Sequence, residues 1–217
     1  MSQPIEAKDP APIVTWLETQ RTSMRFKSEL IGLDEVRDWS RDERGNVRHK
    51  GGHFFDIEGA TVEAGEVREV KSWDQPITTQ RDAGLLGMLA RETPERGIEF
   101  LLQAIAECGN IGVLQLGPSI HSTSSSIGRT HAGERLPMME VVNAKSGVRV
   151  VYRANHTEEG SRFWKRYNQN VVVYLDDESV IETNLRMFRW ASLSQIKELA
   201  LMDNLLSPFV KTILMPL

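Results

Sequence analysis

Residues 107–131 read E-C-G-N-I-G-V-L-Q-L-G-P-S-I-H-S-T-S-S-S-I-G-R-T-H. The apolar run over 111–121 predicts a buried strand. Around it stand side chains that bond oxygens: Asn110, Gln115, His121, Ser122, Thr123, Arg129 and His131. A second segment, 160–170, reads G-S-R-F-W-K-R-Y-N-Q-N and has the same character. Val148, Val150 and Tyr152 alternate with Arg149, Val151 and Arg153 just before it, which predicts a strand with one wet face. Residues 171–175, V-V-V-Y-L, predict another strand just after it. Neither segment is therefore a tail. A folded domain that concentrates so many neutral and basic donors faces an oxygen-rich, anionic ligand, and a sugar nucleotide fits that description.

Outward from these segments, Ile13, Trp16, Leu17 and Met24 recur at helical spacing and predict a helix over 12–27. Phe54, Phe55 and Ile57 open a set of strands, continued at 61–64, 66–73 and 77–80. The run G-L-L-G-M-L (84–89) is either a turn of helix or a buried strand, and periodicity does not decide. Thr93-Pro94-Glu95 has the form of a helix start, with an oxygen cap, a first-turn proline and an acid. Ile98, Leu101, Leu102 and Ile105 would be its apolar stripe and Gly109 its end. Ser192 and Gln195 form a capping box for a late helix over 192–203. The order of elements predicts a mixed α+β domain over 13–217. Three prolines in 1–12 suggest a flexible arm before it.

The 217 residues carry a net charge of −4, with 40% hydrophobic and 26% charged residues. That length supports one good core, and the mild acidity argues against a nucleic-acid partner. A single cysteine, Cys108, rules out an intrachain disulfide and a thiolate zinc cluster. The N-terminus has no basic start and apolar run of a signal peptide. No window approaches the roughly 18 apolar residues of a membrane span. A cytoplasmic protein without a membrane partner is expected. Phosphate-loop and dinucleotide fingerprints are absent. Arg68-Glu69-Val70 has the core of a Nudix box, but Lys71-Ser72-Trp73 stand where its glutamates and glycine belong. The histidines, His49, His53, His121, His131 and His156, make no H-E-x-x-H or H-x-H pattern. No metal and no cofactor are expected.

Among candidate catalytic groups, His121 and His131 bracket the Ser/Thr-rich turn and lie near Arg129. Glu107 and Glu158 are the carboxylates nearest the donors, and a carboxylate in a closed apolar pocket can act as general acid or base. The alternative for each glutamate is an ordinary surface ion pair. Arg162, Lys165 and Arg166 share a face if the segment is helical, as either a solvated face or a diphosphate clamp. Ser122 to Ser126 read as ligand-binding or structural hydroxyls, because the strained G-x-S-x-G turn of a nucleophilic serine is missing.

Taken together these segments resemble the NDP-hexose 2,3-dehydratases. The family's E-P-G-N reads here Glu107-Cys108-Gly109-Asn110. Its Q-x-x-P-T-x-Q-A-T stretch reads Gln115-Leu116-Gly117-Pro118-Ser119-Ile120-His121-Ser122-Thr123. Its histidine and glycine read His131-Ala132-Gly133. Its S-E-Q-G-x-R-F-x-x-K-R-N-R-N element matches Thr157 through Asn170. Its F-x-W-x-T-L-x-Q element matches Phe188 through Gln195, and Asp203-Asn204-Leu205-Leu206-Ser207 stand for D-N-L-V-N. Gly52-His53-Phe54-Phe55 and Arg68-Glu69-Val70 through Pro76 match as well. The order is colinear over roughly 35–216.

The resemblance implies a Nudix-like mixed sheet with packed helices that lacks the Nudix box. It implies a dTDP-4-keto-6-deoxyhexose as substrate, loss of water across C2 and C3, and no cofactor. It also implies proton transfer by Glu107 or Glu158 with His121 or His131. Arg129, Arg162, Lys165 and Arg166 would meet the diphosphate and carbonyl oxygen. Gln115, Ser122, Thr123, Asn168 and Asn170 would orient the sugar, and Trp73 and Trp190 would wall the base or serve the core. Family enzymes carry two tandem copies of this domain, so a single copy implies a homodimer. His121 stands where the family has a glutamine. That exchange leaves open a binding protein, or an isomerase using the same pocket.

Overall fold

The computed structural model describes residues 8–52, 54–80, 82–122 and 136–217. It is an α+β structure of two sheets and four helices, with no closed barrel among the described residues. Helix α1 (Ala11–Ser23) is shorter than the 12–27 expected. A four-stranded antiparallel sheet follows in the order β1 (Trp39–Arg41), β2 (Val47–His49), β3 (Asp56–Glu63) and β4 (Ser72–Thr79). The strand expected over 66–73 is mostly connection: Arg68-Glu69-Val70 lies in the loop closed by the Ala64 N–H donating to the Lys71 carbonyl at 2.8 Å.

The main sheet contains β5 (Gly84–Thr93), β6 (Gly97–Ala106), β7 (Leu114–Pro118) and β8 (Ile120–Ser122). It is completed by β9 (Val148–Thr157), β10 (Tyr167–Leu175) and β11 (Phe188–Ser192). Its order is β11-β6-β5-β10-β9, with β7 added along β6 and β8 along β5. Strand β10 runs parallel to β5, and the other pairs are antiparallel. The β5–β6 hairpin pairs only from Thr93↔Gly97 to Ala90↔Phe100, and then the strands fork. Strand β7 carries on along β6 and β8 along β5. Ser119, between them, sits in the fork. Its Oγ accepts from the Leu89 N–H at 3.0 Å and donates to the Leu101 carbonyl. One hydroxyl thus satisfies two backbone groups that separate as the strands part.

Here the expected helix over 93–105 is corrected to a hairpin turn and β6. Leu101 and Leu102 are both fully buried but belong to cores on opposite faces of the sheet. A strand covered on both sides reads as a continuous apolar run, and a helical stripe can be picked from such a run by chance. Thr93 Oγ1 accepts from the Arg96 N–H at 3.2 Å, so the apparent helix cap stabilises a turn instead. Gly97 takes φ +69° there. The ambiguous G-L-L-G-M-L run is the first half of β5 for the same reason.

One face of the main sheet packs Leu86, Met88, Leu102 and Leu116 against α1, α3 (Leu193–Ala200) and α4 (Pro208–Leu214). The other packs Leu89, Leu101 and Ile120 against Met138 and Val141 at the short helix α2 (Met139–Val142). The expected capping box is present on α3: Ser192 Oγ accepts from the Gln195 N–H, and Gln195 Oε1 from the Ser192 N–H, each at 3.1 Å. The β9–β10 connection, 158–166, reaches across to the smaller sheet. Thr78 accepts from the Trp164 N–H and donates to the Arg162 carbonyl, both at 2.9 Å. The helical face expected for Arg162, Lys165 and Arg166 is therefore corrected: Lys165 has φ +48°, and only Arg166 of the three is buried.

Candidate active site

Cross-strand register places a polar floor on the helix-covered face of the main sheet. One row runs His121–Leu86–Asn170–Ala154 across β8, β5, β10 and β9. The next runs Gly84–Asn168–His156 across β5, β10 and β9. Residues two apart on a strand share a face, so both rows look the same way. Phe209 of α4 stands 5.5 Å from the His121 ring. The sheet and α4 enclose a cavity of about 300 Å³, lined by Leu86, His156, Glu158, Asn168, Asn170 and Phe209.

Glu158, at the end of β9, anchors the electrostatics. Arg166 Nε lies 2.7 Å from its Oε2, and both side chains are largely buried. Asn168 Nδ2 donates to Glu158 Oε1 at 2.6 Å, and Asn168 Oδ1 accepts from the Gly84 N–H at 3.1 Å. Arg166 also donates to the Asp82 carbonyl at 3.1 Å and to Asn168 Oδ1 at 3.4 Å. Its donors are committed to holding the site. Glu158 Oε2 lacks an aligned hydrogen bond but has its charge met by Arg166 Nε at 2.7 Å, whereas the buried acceptor Asn170 Oδ1 has no protein donor among the described residues. A buried acceptor left in this way costs about 1–3 kcal/mol. Ligand hydroxyls are donors of the right kind.

His121 Nδ1 is 3.6 Å from Glu107 Oε1. Burial pushes the imidazole below its ordinary 6.5, against the opposing pull of Glu107 and then Glu158. A neutral imidazole beside a carboxylate can accept a proton and have the resulting cation stabilised.

A larger cavity of about 700 Å³ opens between the two sheets and shares Glu158 and Phe163 with the first. Trp73 and Trp164 wall it, and Arg68 and Lys165 line it. Trp73 Nε1 donates to Gln75 Oε1 at 2.8 Å, and Gln75 Nε2 donates to the Ser161 carbonyl at 2.9 Å. The Arg68 guanidinium lies 5.7 Å from the Trp73 ring and Lys165 Nζ 4.9 Å from the Trp164 ring.

The fold thus brings Glu158, Asn168 and Asn170 to one cavity, with His121 and Glu107 beside its Phe209 wall and Arg166, Lys165 and Trp73 lining the next. It places other sequence candidates elsewhere. Gln115 on β7 donates to the Asn204 carbonyl at 3.2 Å. Trp190 on β11 lies beneath the Arg91 guanidinium, 4.1 Å away, beside the opposite core. Ser122 is buried opposite Leu85 at the end of β8. Arg162 is exposed and serves through its carbonyl. Thr123, Arg129 and His131 lie outside the described residues. Sequence reading passed over Arg68, Gln75 and the pair Tyr152–His156. That pair was detectable, since residues four apart on a strand share a face.

A sequence profile described as NDP-hexose 2,3-dehydratase matches residues 10–217. Three curated relatives are each named dTDP-4-dehydro-6-deoxy-alpha-D-glucopyranose 2,3-dehydratase. The one from Saccharopolyspora spinosa is 32% identical over 200 residues, 92% of this chain and 40% of its own. The one from Amycolatopsis orientalis is 30% identical over 207 residues, 92% of this chain and 42% of its own. The one from Streptomyces violaceoruber is 32% identical over 209 residues, 95% of this chain and 46% of its own. The chain spans less than half the length of the curated relatives it matches.

Proposed function

This chain belongs to the NDP-hexose 2,3-dehydratase family, and from that we propose that it removes water across C2 and C3 of a dTDP-4-keto-6-deoxyhexose. The observation that carries the reading is that one floor holds the ion-paired Glu158, the buried acceptor Asn170 Oδ1 with no protein donor, and a half-buried histidine of lowered pKa beside Glu107. The acceptor fits a sugar hydroxyl. His121 takes the proton from C3, which the C4 ketone acidifies, and Glu107 stabilises the imidazolium. The electron pair passes through an enolate, C2=C3 forms, and the C2 oxygen departs as water. The resulting enol becomes the 3,4-diketone.

The larger cavity suits the nucleotide. Trp73 and Trp164 offer faces to the base, and Arg68 and Lys165 offer charge to the diphosphate. Arg129 and His131 stay candidates for the carbonyl oxygen. The same reading takes a second copy of the chain as partner. Ile98 and Val151, exposed along an open groove of about 550 Å³ away from the site, support it. Light scattering that finds only monomer would reject that part. The exposed thiol of Cys108 suits a reducing, cytoplasmic setting, and no helix among the described residues is long and apolar enough to cross a membrane.

The test is His121→Gln, which installs the family's amide; an amide is no base, so this assignment makes the proton acceptor at this position particular to this chain. With dTDP-4-keto-6-deoxyglucose, exchange of the C3 proton should fall by about 10²–10⁴-fold. Unchanged exchange would move the base to Glu158. Tight binding by the wild type with neither exchange nor water loss would leave a binding protein.

A further inference from the structure

The dehydration needs two proton-transfer groups, one at C3 and one at the departing C2 oxygen, and His121 serves only the first. We infer that His156, positioned by Tyr152, is the acid for the second, an assignment that rests on the dehydratase reading. His156 lines the smaller cavity and is the cross-strand partner of Asn168, the residue that holds Glu158. Tyr152 lies four residues earlier on the same face of β9. Its hydroxyl is 2.7 Å from His156 Nε2, and the two rings meet edge to face with centroids 6.3 Å apart. That contact fixes the ring plane. Nδ1 is then the nitrogen left for the cavity, and no hydrogen bond engages it among the described residues.

His121 and His156 stand on opposite flanks of the floor, with β5 and β10 between them. Strands lie about 4.8 Å apart, so a hexose ring laid over Leu86 and Asn170 has one histidine on either side. The imidazolium of His156 gives its Nδ1 proton to the C2 oxygen as the C2–O bond breaks, and water leaves. The enolate pair becomes the C2=C3 bond. His156 ends neutral and keeps Nε2–H donating to the Tyr152 oxygen. The proton that His121 took from C3 returns through solvent. Glu158 and Glu159 are the charged groups that share the cavity with His156, and α4 contributes only Phe209, Pro208 and Thr212.

The experiment separates the two proton transfers. The full chain is incubated with dTDP-4-keto-6-deoxyglucose in deuterated water, and C3 exchange and water loss are followed separately. His156→Gln should keep C3 exchange near wild type while water loss falls by about 10²-fold or more. Tyr152→Phe should lower water loss about tenfold and leave exchange alone, which a merely structural role would not do. Both rates falling together, or neither, would overturn the assignment. A wild type inactive in both readouts would refute the dehydratase reading instead. In that case proton NMR decides: the His156 imidazole signals, identified by their loss in His156→Gln, must shift on saturation with the sugar nucleotide. Unmoved signals would overturn the inference.

Discussion

Gly84 is required by its neighbour. A Cβ built there would lie 2.4 Å from Asn168 Oδ1, and the missing side chain lets that amide lie against the strand and hold Glu158. Gly84→Ala should push Asn168 away, cost about 1–3 kcal/mol in urea unfolding, and weaken sugar-nucleotide binding in calorimetry. Unchanged binding would show that Asn168 does not orient the site. Arg166 makes a complementary case. Arg166→Met leaves the largely buried Glu158 charge without its cation, which costs about 3–5 kcal/mol. The double variant with Glu158→Gln should recover much of that loss. His121 gives a pH signature. Its folded pKa lies below 6.5, so as pH falls below 6.5 the unfolded chain binds a proton that the folded chain does not. Stability is full above 6.5 and declines below it until the folded value is passed. The wild-type melting temperature should therefore fall faster than that of His121→Gln on acidification. Parallel slopes would contradict the shift.

At the scale of elements, the fork of β5 and β6 depends on Ser119. Ser119→Ala would orphan the Leu89 N–H and the Leu101 carbonyl, and should lower unfolding stability by about 1–3 kcal/mol. A neutral substitution would mean that the fork is held by strand pairing alone. This region also shows what sequence could and could not tell. The capping box at Ser192 was legible because that signal is local, and so was a strand from Val148, but a bulge near Val151 sends Val148 and Tyr152 to opposite faces, which the alternation did not foretell. The hairpin at 93–97 was not legible. Burial on both faces erases the strand period, and a threonine-capped turn carries the same residues as a helix start. Glu158, Asn168 and Asn170 could be read as a set from the family's motif. The pairing of His156 with Asn168 could not, because cross-strand register sets it and no spacing records that register.

At the scale of the molecule, the two sheets differ in cohesion. Among its strands the four-stranded sheet buries one apolar side chain, Ile77, whereas the main sheet carries core on both faces. Hydrogen exchange should therefore open β1–β4 well before β5, β6 and β10. Because β4 walls the larger cavity through Trp73 and Gln75, sugar-nucleotide binding should slow exchange in β4. Protection confined to the main sheet would remove the nucleotide from the cleft between the sheets. The most direct test of the central claim is to incubate the chain with dTDP-4-keto-6-deoxyglucose in deuterated water and follow the sugar by mass and NMR. The account predicts loss of one water with exchange at C3. Saturable binding with unchanged mass and no exchange would contradict it.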